Sequence, residues 1–439
     1  MTGRERAPLS RELAAAAGAL EALAAGRSLQ LALESPALAE LPPASRAAAR
    51  DIAFSACRRL GLLRALAARL NGRPPAPALA ALQWVALDQL VAPLRAEGII
   101  VDQAVAAAKK GAGTAPAAGF LNATLRRFLR ERDSLLPAAA AVDEARWNFP
   151  RWWIKQLRDE HPRDWQRILQ VSNQLPPMTL RVNRRRGTVD DYLARLAEAG
   201  MEARVIGPQA LRLAQPVAVD ALPGWADGWV SVQDAGAQLA APLLAPGDGE
   251  RVLDACAGPG GKTTHLLELA PCELTALDVG PERLRPIHEN LKRLGQQAQV
   301  LAGDARLPEG WWDGRPFDRV LVDAPCTASG IVRRHPDIRW LRRRSDLATL
   351  SRRQAEILTG LWPVLKPGGK LLYVTCSVFR AEGESVIDHF LAEQPGARRI
   401  PLSWRFGSSA AESVAQLLPT ATESRDHDGF FYALLEKRP

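Results

Sequence analysis

Six residues of this 439-residue chain stand out by type and setting: Asp254, Asp278, Asp304, Asp323, Cys326 and Cys376. Each aspartate closes or follows an aliphatic run, in "ERVLDAC", "CELTALDV", "AQVLAGDAR" and "FDRVLVDAPC", so each belongs at the carboxyl end of a predicted strand. A glycine-rich bend, Cys256, Ala257, Gly258, Pro259, Gly260, Gly261 and Lys262, follows the first of them. Its G-K-T ending is that of a phosphate cradle, which also needs a glycine five positions before Gly261. Cys256 stands there instead, which weakens the P-loop reading without excluding it. Asp278 comes 20 residues after Gly258, where an acid accepts from a ribose diol in dinucleotide folds. Asp304 suits an adenine amino group. For a single aspartate a cap or turn is the ordinary role; four in series beside one bend fit a ligand with ribose and amine donors and no phosphate. S-adenosylmethionine is such a ligand.

These residues need a sheet to hold them. From about residue 236 onward, aliphatic and β-branched runs alternate with amphipathic stretches, and "GKLLYVTC" follows the turn "LKPGGK". That alternation predicts a doubly wound α/β domain. Ahead of it, residues 141–235 are mixed, with strand-like "MTLRVN" and "GWVSVQD". Residues 1–140 read as helix throughout: one helix from a cap at Ser10 to Gly26, one from Ser45 to Gly72, one after Pro77, and "GFLNATLRRFLRERD". The last carries Arg126, Arg127, Arg130 and Arg132 near one side, a solvated face or an RNA-contacting one.

Composition limits the partners. The net charge is +9, of which residues 1–140 carry +7, so a polyanion such as RNA would meet the first third of the chain. Only 8 of the 57 basic residues are lysine, so arginine frequency alone identifies no contact. The five cysteines are scattered without C-x-x-C pairs and the six histidines lack ligand spacing, which argues against disulfides and metal. No uncharged apolar run is long enough for a membrane span, and the N-terminus lacks a clean signal-peptide core, so a cytoplasmic location is expected.

A buried cysteine is usually inert packing. Cys326 and Cys376, however, follow successive strands on the ligand side, and thiols there have a use. C5 of cytosine is a poor nucleophile, but a thiolate added at C6 turns C5 into an enamine carbon able to accept a methyl group. The adduct must then lose the C5 proton and expel the thiol, for which a second polar group is useful.

The series "CAGPGGKTTH", "LDVGPERL", "GDAR", "LVDAPCTASGIVRRHPDIRW" and "YVTCSV" resembles the RNA cytosine-C5 methyltransferases, above all the bacterial 16S rRNA cytosine-967 C5-methyltransferases. "GFLNATLRRF", "PMTLRVN" and "HDGFFYALLEK" extend the resemblance over nearly the whole chain. It implies a Rossmann-like methyltransferase domain (236–439), preceded by a NusB-like helical RNA-binding domain (1–140) and a small mixed α/β domain. It implies Cys376 as nucleophile, Cys326 as the cysteine assisting release, and Asp323 near the methyl and the cytosine ring. The bend from Cys256 to Lys262, with Asp278, Arg283 and Asp304, would form the cofactor pocket. Related enzymes of the same fold act on other RNAs. Gly258 departs from the alanine usual in the family, a change expected to loosen the bend. The basic stretch Gly330–Asp346, with Trp340, is either a solvated loop or, following D-A-P-C, a segment placed to grip the RNA backbone with arginines on phosphates.

Overall fold

The computed structural model describes residues 6–404, 412–423 and 425–439. The chain forms two compact units, one running to Asn173 and including His335–Arg343, the other made of Gln174–Arg334 and Arg344–Pro439. No helix among the described residues is long and apolar enough to cross a membrane.

The first unit is helical. Helices Leu9–Ala24, Pro43–Arg58, Leu60–Leu70, Pro77–Val91, Glu97–Lys110 and Ala118–Ala140 pack around fully buried Leu13, Leu20, Leu63, Val85, Leu121 and Phe128. The single helix expected from Ser45 to Gly72 is broken at Arg59. The reason lies just beyond the break, where a Cβ on Gly61 would sit 2.1 Å from the Glu144 carbonyl oxygen. Asn148, itself left-handed at φ 58°, accepts the Gly61 N–H at 2.7 Å. Ser10 is not a cap; it lies inside the first helix, and its N–H donates to Gln103. Along Ala118–Ala140, Arg127 pairs with Glu131 and Arg132 with Glu97. The expected arginine row is thus reduced to Arg126 and Arg130, exposed one turn apart.

The second unit carries two sheets. Strands β1 (Thr179–Val182), β2 (Ala203–Val205), β3 (Ala210–Leu213) and β4 (Val230–Val232) form an antiparallel sheet in the order β2-β3-β1-β4. Its helix, Val189–Glu198, starts at a capping box in which Thr188 and Asp191 satisfy each other's backbone N–H groups.

The larger sheet supplies the site. Strands β5 (Arg251–Ala255), β6 (Glu273–Asp278), β7 (Gln299–Ala302), β8 (Phe317–Asp323) and β9 (Leu365–Thr375) are parallel in the order β7-β6-β5-β8-β9. The C-terminal strand Phe430–Lys437 pairs antiparallel with β9, and β10 (Ala397–Ile400) lies outside it. The chain winds outward from β5 through β6 to β7, then returns to β8 on the other side. This reversal between β5 and β8 is the place where open α/β sheets leave a crevice at their carboxyl ends. The "LKPGG" turn lies within β9 rather than before it: Phe317 pairs with Leu365, but Arg319 already pairs with Lys370. Gly368, at φ +74°, lets the intervening loop bulge out.

Candidate active site

Sheet order converts the spaced sequence motifs into a row. Along the carboxyl edge stand Asp304, Asp278, Asp254, Asp323 and Cys376, at or just beyond the ends of β7, β6, β5, β8 and β9 in turn. Neighbouring strands are about 4.8 Å apart, so the row spans a nucleoside-sized ligand and leaves the cysteines at one end.

The two thiols meet. Cys326 Sγ and Cys376 Sγ lie 3.4 Å apart, within hydrogen-bonding range for sulfur. Cys326 is buried and Cys376 half-buried. The hydrogen bond with Cys376, then burial, then the charges of Cys376 and Glu382 push the Cys326 thiol well above its usual pKa range. Cys326 is therefore held protonated, a poor nucleophile but a ready donor.

Lys262, at the start of helix Gly261–Leu269, donates to Asp323 Oδ2 at 2.6 Å. Burial opposes its charge, but Asp323 outweighs burial, and Lys262 is held above the ordinary lysine range with Cys376 also contributing. A fixed ammonium thus stands close to Cys376. The P-loop reading loses further ground here, since this lysine already has a carboxylate partner.

Asp278 is closed from three sides: Gly258 N–H and Val279 N–H donate to it at 2.8 Å and Arg283 Nε at 2.7 Å. An added Cβ at Gly258 would lie 2.9 Å from Asp278 Oδ2 and 3.2 Å from Arg283. Glycine therefore tightens the bend onto Asp278 rather than loosening it. The bend itself passes through left-handed Cys256 (φ 60°) and Gly260 (φ 96°); a Cβ on Gly260 would come within 3.0 Å of the Ile287 Cα. Burial raises the Cys256 thiol. Pro259 O accepts from Asn290, and Ala257 N–H donates to Leu277 O. Asp304 is gripped by Arg306 through both oxygens, and the hydrogen bonds from Arg306 hold its pKa below the ordinary range.

Asp254 is fully buried and accepts from Thr263 Oγ1 at 2.6 Å, while its Oδ1 has no hydrogen-bond partner among the described residues. Burial, with smaller contributions from Asp323 and Asp278, lifts it to about 7 from an ordinary 3.8. An orphaned buried acceptor beside a glycine cradle, with acids to either side, fits a ligand bearing hydroxyl and amine donors. The titration has a stability consequence. A raised folded pKa means that the protonated form is favoured by folding, so its contribution is present at low pH and lost as pH climbs toward 7. Between pH of about 4 and 8 the wild type should lose a few kcal/mol relative to Asp254→Asn, which still accepts from Thr263. Parallel urea-midpoint curves for the two proteins would remove the charge from this account.

Two groups of residues near the cysteines carry no sequence signal. Glu382, in "RAEGES", is buried between the cysteine loops. Arg333 and Arg334 turn inward: Arg333 bonds Asp428 and Asp426, the latter at 2.7 Å, and Arg334 bonds Asp428 and Asp234. Further along the same stretch, Arg339 is buried against Asn148 O and Ser172 O, and Arg64 lies 5.0 Å from the Trp340 ring in the helical unit. Arg333, Arg334, Arg339 and Trp340 are thus held by partners within the protein, while Arg343 and Arg344 of the same stretch are exposed. A cleft of about 670 Å³ lies elsewhere in the second unit, with Arg184, Gln209, Gln238, His265 and Trp404 among its walls; neither cysteine borders it.

Comparison with known proteins agrees with this architecture. The family model described as 16S rRNA methyltransferase RsmB/F matches residues 241–436, that of the ferredoxin-like domain of RsmF/B-like methyltransferases matches 149–220, and that of the NusB family matches 10–130. Ribosomal RNA small subunit methyltransferase B of Klebsiella pneumoniae subsp. pneumoniae is 43% identical over 423 residues, 94% of this chain and 95% of that protein. The crystal structure of PH0851 superposes with a TM-score of 0.77 at 26% identity, covering 99% of this chain and all of that one. A methyltransferase homologue from Pyrococcus horikoshii gives 0.56 at 26% identity, covering 67% of this chain and 97% of that one. With a helical NusB domain, a ferredoxin-like linker and a methyltransferase domain in the same order and at this identity, the chain belongs to the RsmB/F family of 16S rRNA methyltransferases.

Proposed function

We propose that this protein methylates C5 of a cytosine in 16S rRNA in the cytoplasm, with S-adenosylmethionine as donor and a cysteine adduct as intermediate. The observation that carries the reading is the pair of thiols 3.4 Å apart beside the Lys262–Asp323 ion pair. One thiol serves attack and the other release.

When bound, the cofactor supplies an electrophilic methyl group. Its ribose would be held by Asp278 with Arg283 and the bend Cys256–Lys262, its adenine by Asp304, and its amino group by the acceptors near Asp254. Cys376, as thiolate, adds to C6 of the cytosine, and the electron pair moves to C5. The Lys262 ammonium stands beside the attacking sulfur, and Asp323 accepts from the cytosine amine. Once C5 carries the methyl, a base removes its proton, the C5–C6 double bond reforms, and Cys376 leaves as thiolate. Cys326, held protonated one sulfur contact away, gives a hydrogen bond to the departing sulfur. In the helical unit, Arg126 and Arg130 are exposed for phosphate contacts, which hold the RNA without reading its sequence.

The test is methyl transfer by the purified protein from labelled S-adenosylmethionine to 16S rRNA, mapped by bisulfite sequencing. Labelled cytosine C5 supports the reading; label on another base or none overturns it. The cofactor assignment has its own check. Asp278→Ala removes two charge-assisted hydrogen bonds worth about 1.5–3 kcal/mol each, so affinity by calorimetry should fall at least about a hundredfold. Unchanged affinity in a folded variant would sink the ribose role.

A further inference from the structure

We infer that Glu382 is a positioning residue: its buried carboxylate clamps together the two loops that carry Cys326 and Cys376, and so sets the gap between the thiols. The argument starts from which residues it holds. Thr327 and Ser377 each follow a cysteine directly in sequence. Thr327 donates to Glu382 twice, through its N–H to Oε1 at 2.7 Å and through its hydroxyl to Oε2. Ser377 Oγ donates to Oε2 at 2.6 Å, and Gln354 Nε2 reaches Oε1 at 3.4 Å. One carboxylate therefore bridges the residue after each thiol.

The surroundings show why a bridge is needed. β8 and β9 are adjacent parallel strands, but their hydrogen-bond ladder ends where the cysteine loops begin. Beyond it, the Cys326 loop turns sharply through Ala328 at φ 59°. Ser329 and Ser377 share a hydrogen bond at 2.9 Å, and Gly330 N–H donates to Cys376 O at 2.9 Å, so the two loops lie against each other. Glu382 is tied from behind as well, its backbone carbonyl accepting from Tyr373 OH at 2.8 Å. A buried carboxylate is costly, and apolar residues of similar volume often stabilise a core better. What an apolar side chain could not do is accept from both loops at once. Without the clamp the thiols would separate, and displacements of about 1 Å cost up to about a hundredfold in a positioned reaction.

The release half of this inference rests on the roles proposed for the cysteines; the geometric half does not, and the experiment separates them. Ligand-free full-length protein is treated with diamide, which takes two protons and two electrons from the thiol pair and is reduced to its hydrazine. The Cys326–Cys376 disulfide is followed by peptide mass spectrometry in wild type, Glu382→Ala, Glu382→Gln and Thr327→Val. Glutamine keeps an acceptor for the Thr327 N–H and can meet the hydroxyls with its amide, so it should cross-link at nearly the wild-type rate. Glu382→Ala should be slowed at least about tenfold. Thr327→Val, which keeps the N–H but loses one hydroxyl, should fall between and decides the matter should the alanine variant fail to fold. With RNA and S-adenosylmethionine, Glu382→Ala should lower kcat, leave KM for RNA unchanged and accumulate a protein–RNA adduct. Equal cross-linking rates in wild type, Glu382→Ala and Thr327→Val would overturn the clamp. A wild type that forms neither adduct nor methylated RNA would instead overturn the cysteine roles, with the cross-linking result still standing for the clamp.

Discussion

Cys376→Ala is expected to yield no methylated RNA and no covalent complex, whereas Cys326→Ala should trap a protein–RNA adduct that migrates as a shifted band on a denaturing gel. Both thiols lie within 3.4 Å of each other, so proximity to a bound base cannot distinguish them. Their electrostatic settings can. Cys326 shares a hydrogen bond with Cys376, is buried and faces the charge of Glu382, all of which keep its proton on. Cys376 is half-buried, the more accessible of the two, with the Lys262 ammonium near it. Losing the attacking thiol removes the only route to the enamine, so activity should drop by about 10⁴ or more, the scale seen when a nucleophile is deleted. Losing the assisting thiol leaves attack and methyl transfer intact and slows elimination, at about the 10²–10⁴ that proton donation contributes. Slow turnover in Cys326→Ala is compatible with this, because Lys262 stays nearby. The reverse pattern, an adduct with Cys376→Ala and none with Cys326→Ala, would exchange the two roles.

The parts legible in the sequence are those whose chemistry is local. Each strand-end aspartate follows its own aliphatic run, and the glycine bend is contiguous from Cys256 to Lys262, so spacing alone brought them to one edge. Sheet order then placed Cys326 beside Cys376, which their positions after successive strands had implied. What escaped reading depends on partners far along the chain. Glu382 meets Thr327 across 55 residues, and "RAEGES" looks like any polar turn. Arg333 lies 95 residues from Asp428, so in sequence it is one more member of a basic run. The break at Arg59 has the same cause, because the close approach that excludes a side chain at Gly61 comes from Glu144.

The buried charge cluster gives the largest expected effect on stability. Arg333, Asp426 and Asp428 are almost wholly buried, and Arg334 bridges Asp428 to Asp234. Arg333→Met leaves the acids with too few cations, and an uncompensated buried charge costs about 3–5 kcal/mol. Urea unfolding should register that loss, whereas exposed Arg344→Ala should change stability by less than about 0.5 kcal/mol. The loss should depend on pH in a fixed direction. Burial, then the charge of Asp234, raises Asp428 against the opposing pull of Arg334 and Arg333, so removing Arg333 raises it further. A raised folded pKa favours the folded state while the group is protonated, and that benefit disappears as pH rises through it. The Arg333→Met deficit should therefore be greatest at neutral and alkaline pH and shrink as pH falls through the raised Asp428 pKa. Adding Asp428→Asn should recover part of the stability, since it removes the charge that Arg333 balanced. The cluster also holds the Cys326 loop, because Gly429 N–H donates to Gly330 O at 2.9 Å next to Asp428, so activity should fall along with stability. Full stability in Arg333→Met with weakened, salt-dependent RNA binding would instead return this arginine to the RNA surface that the basic stretch first suggested.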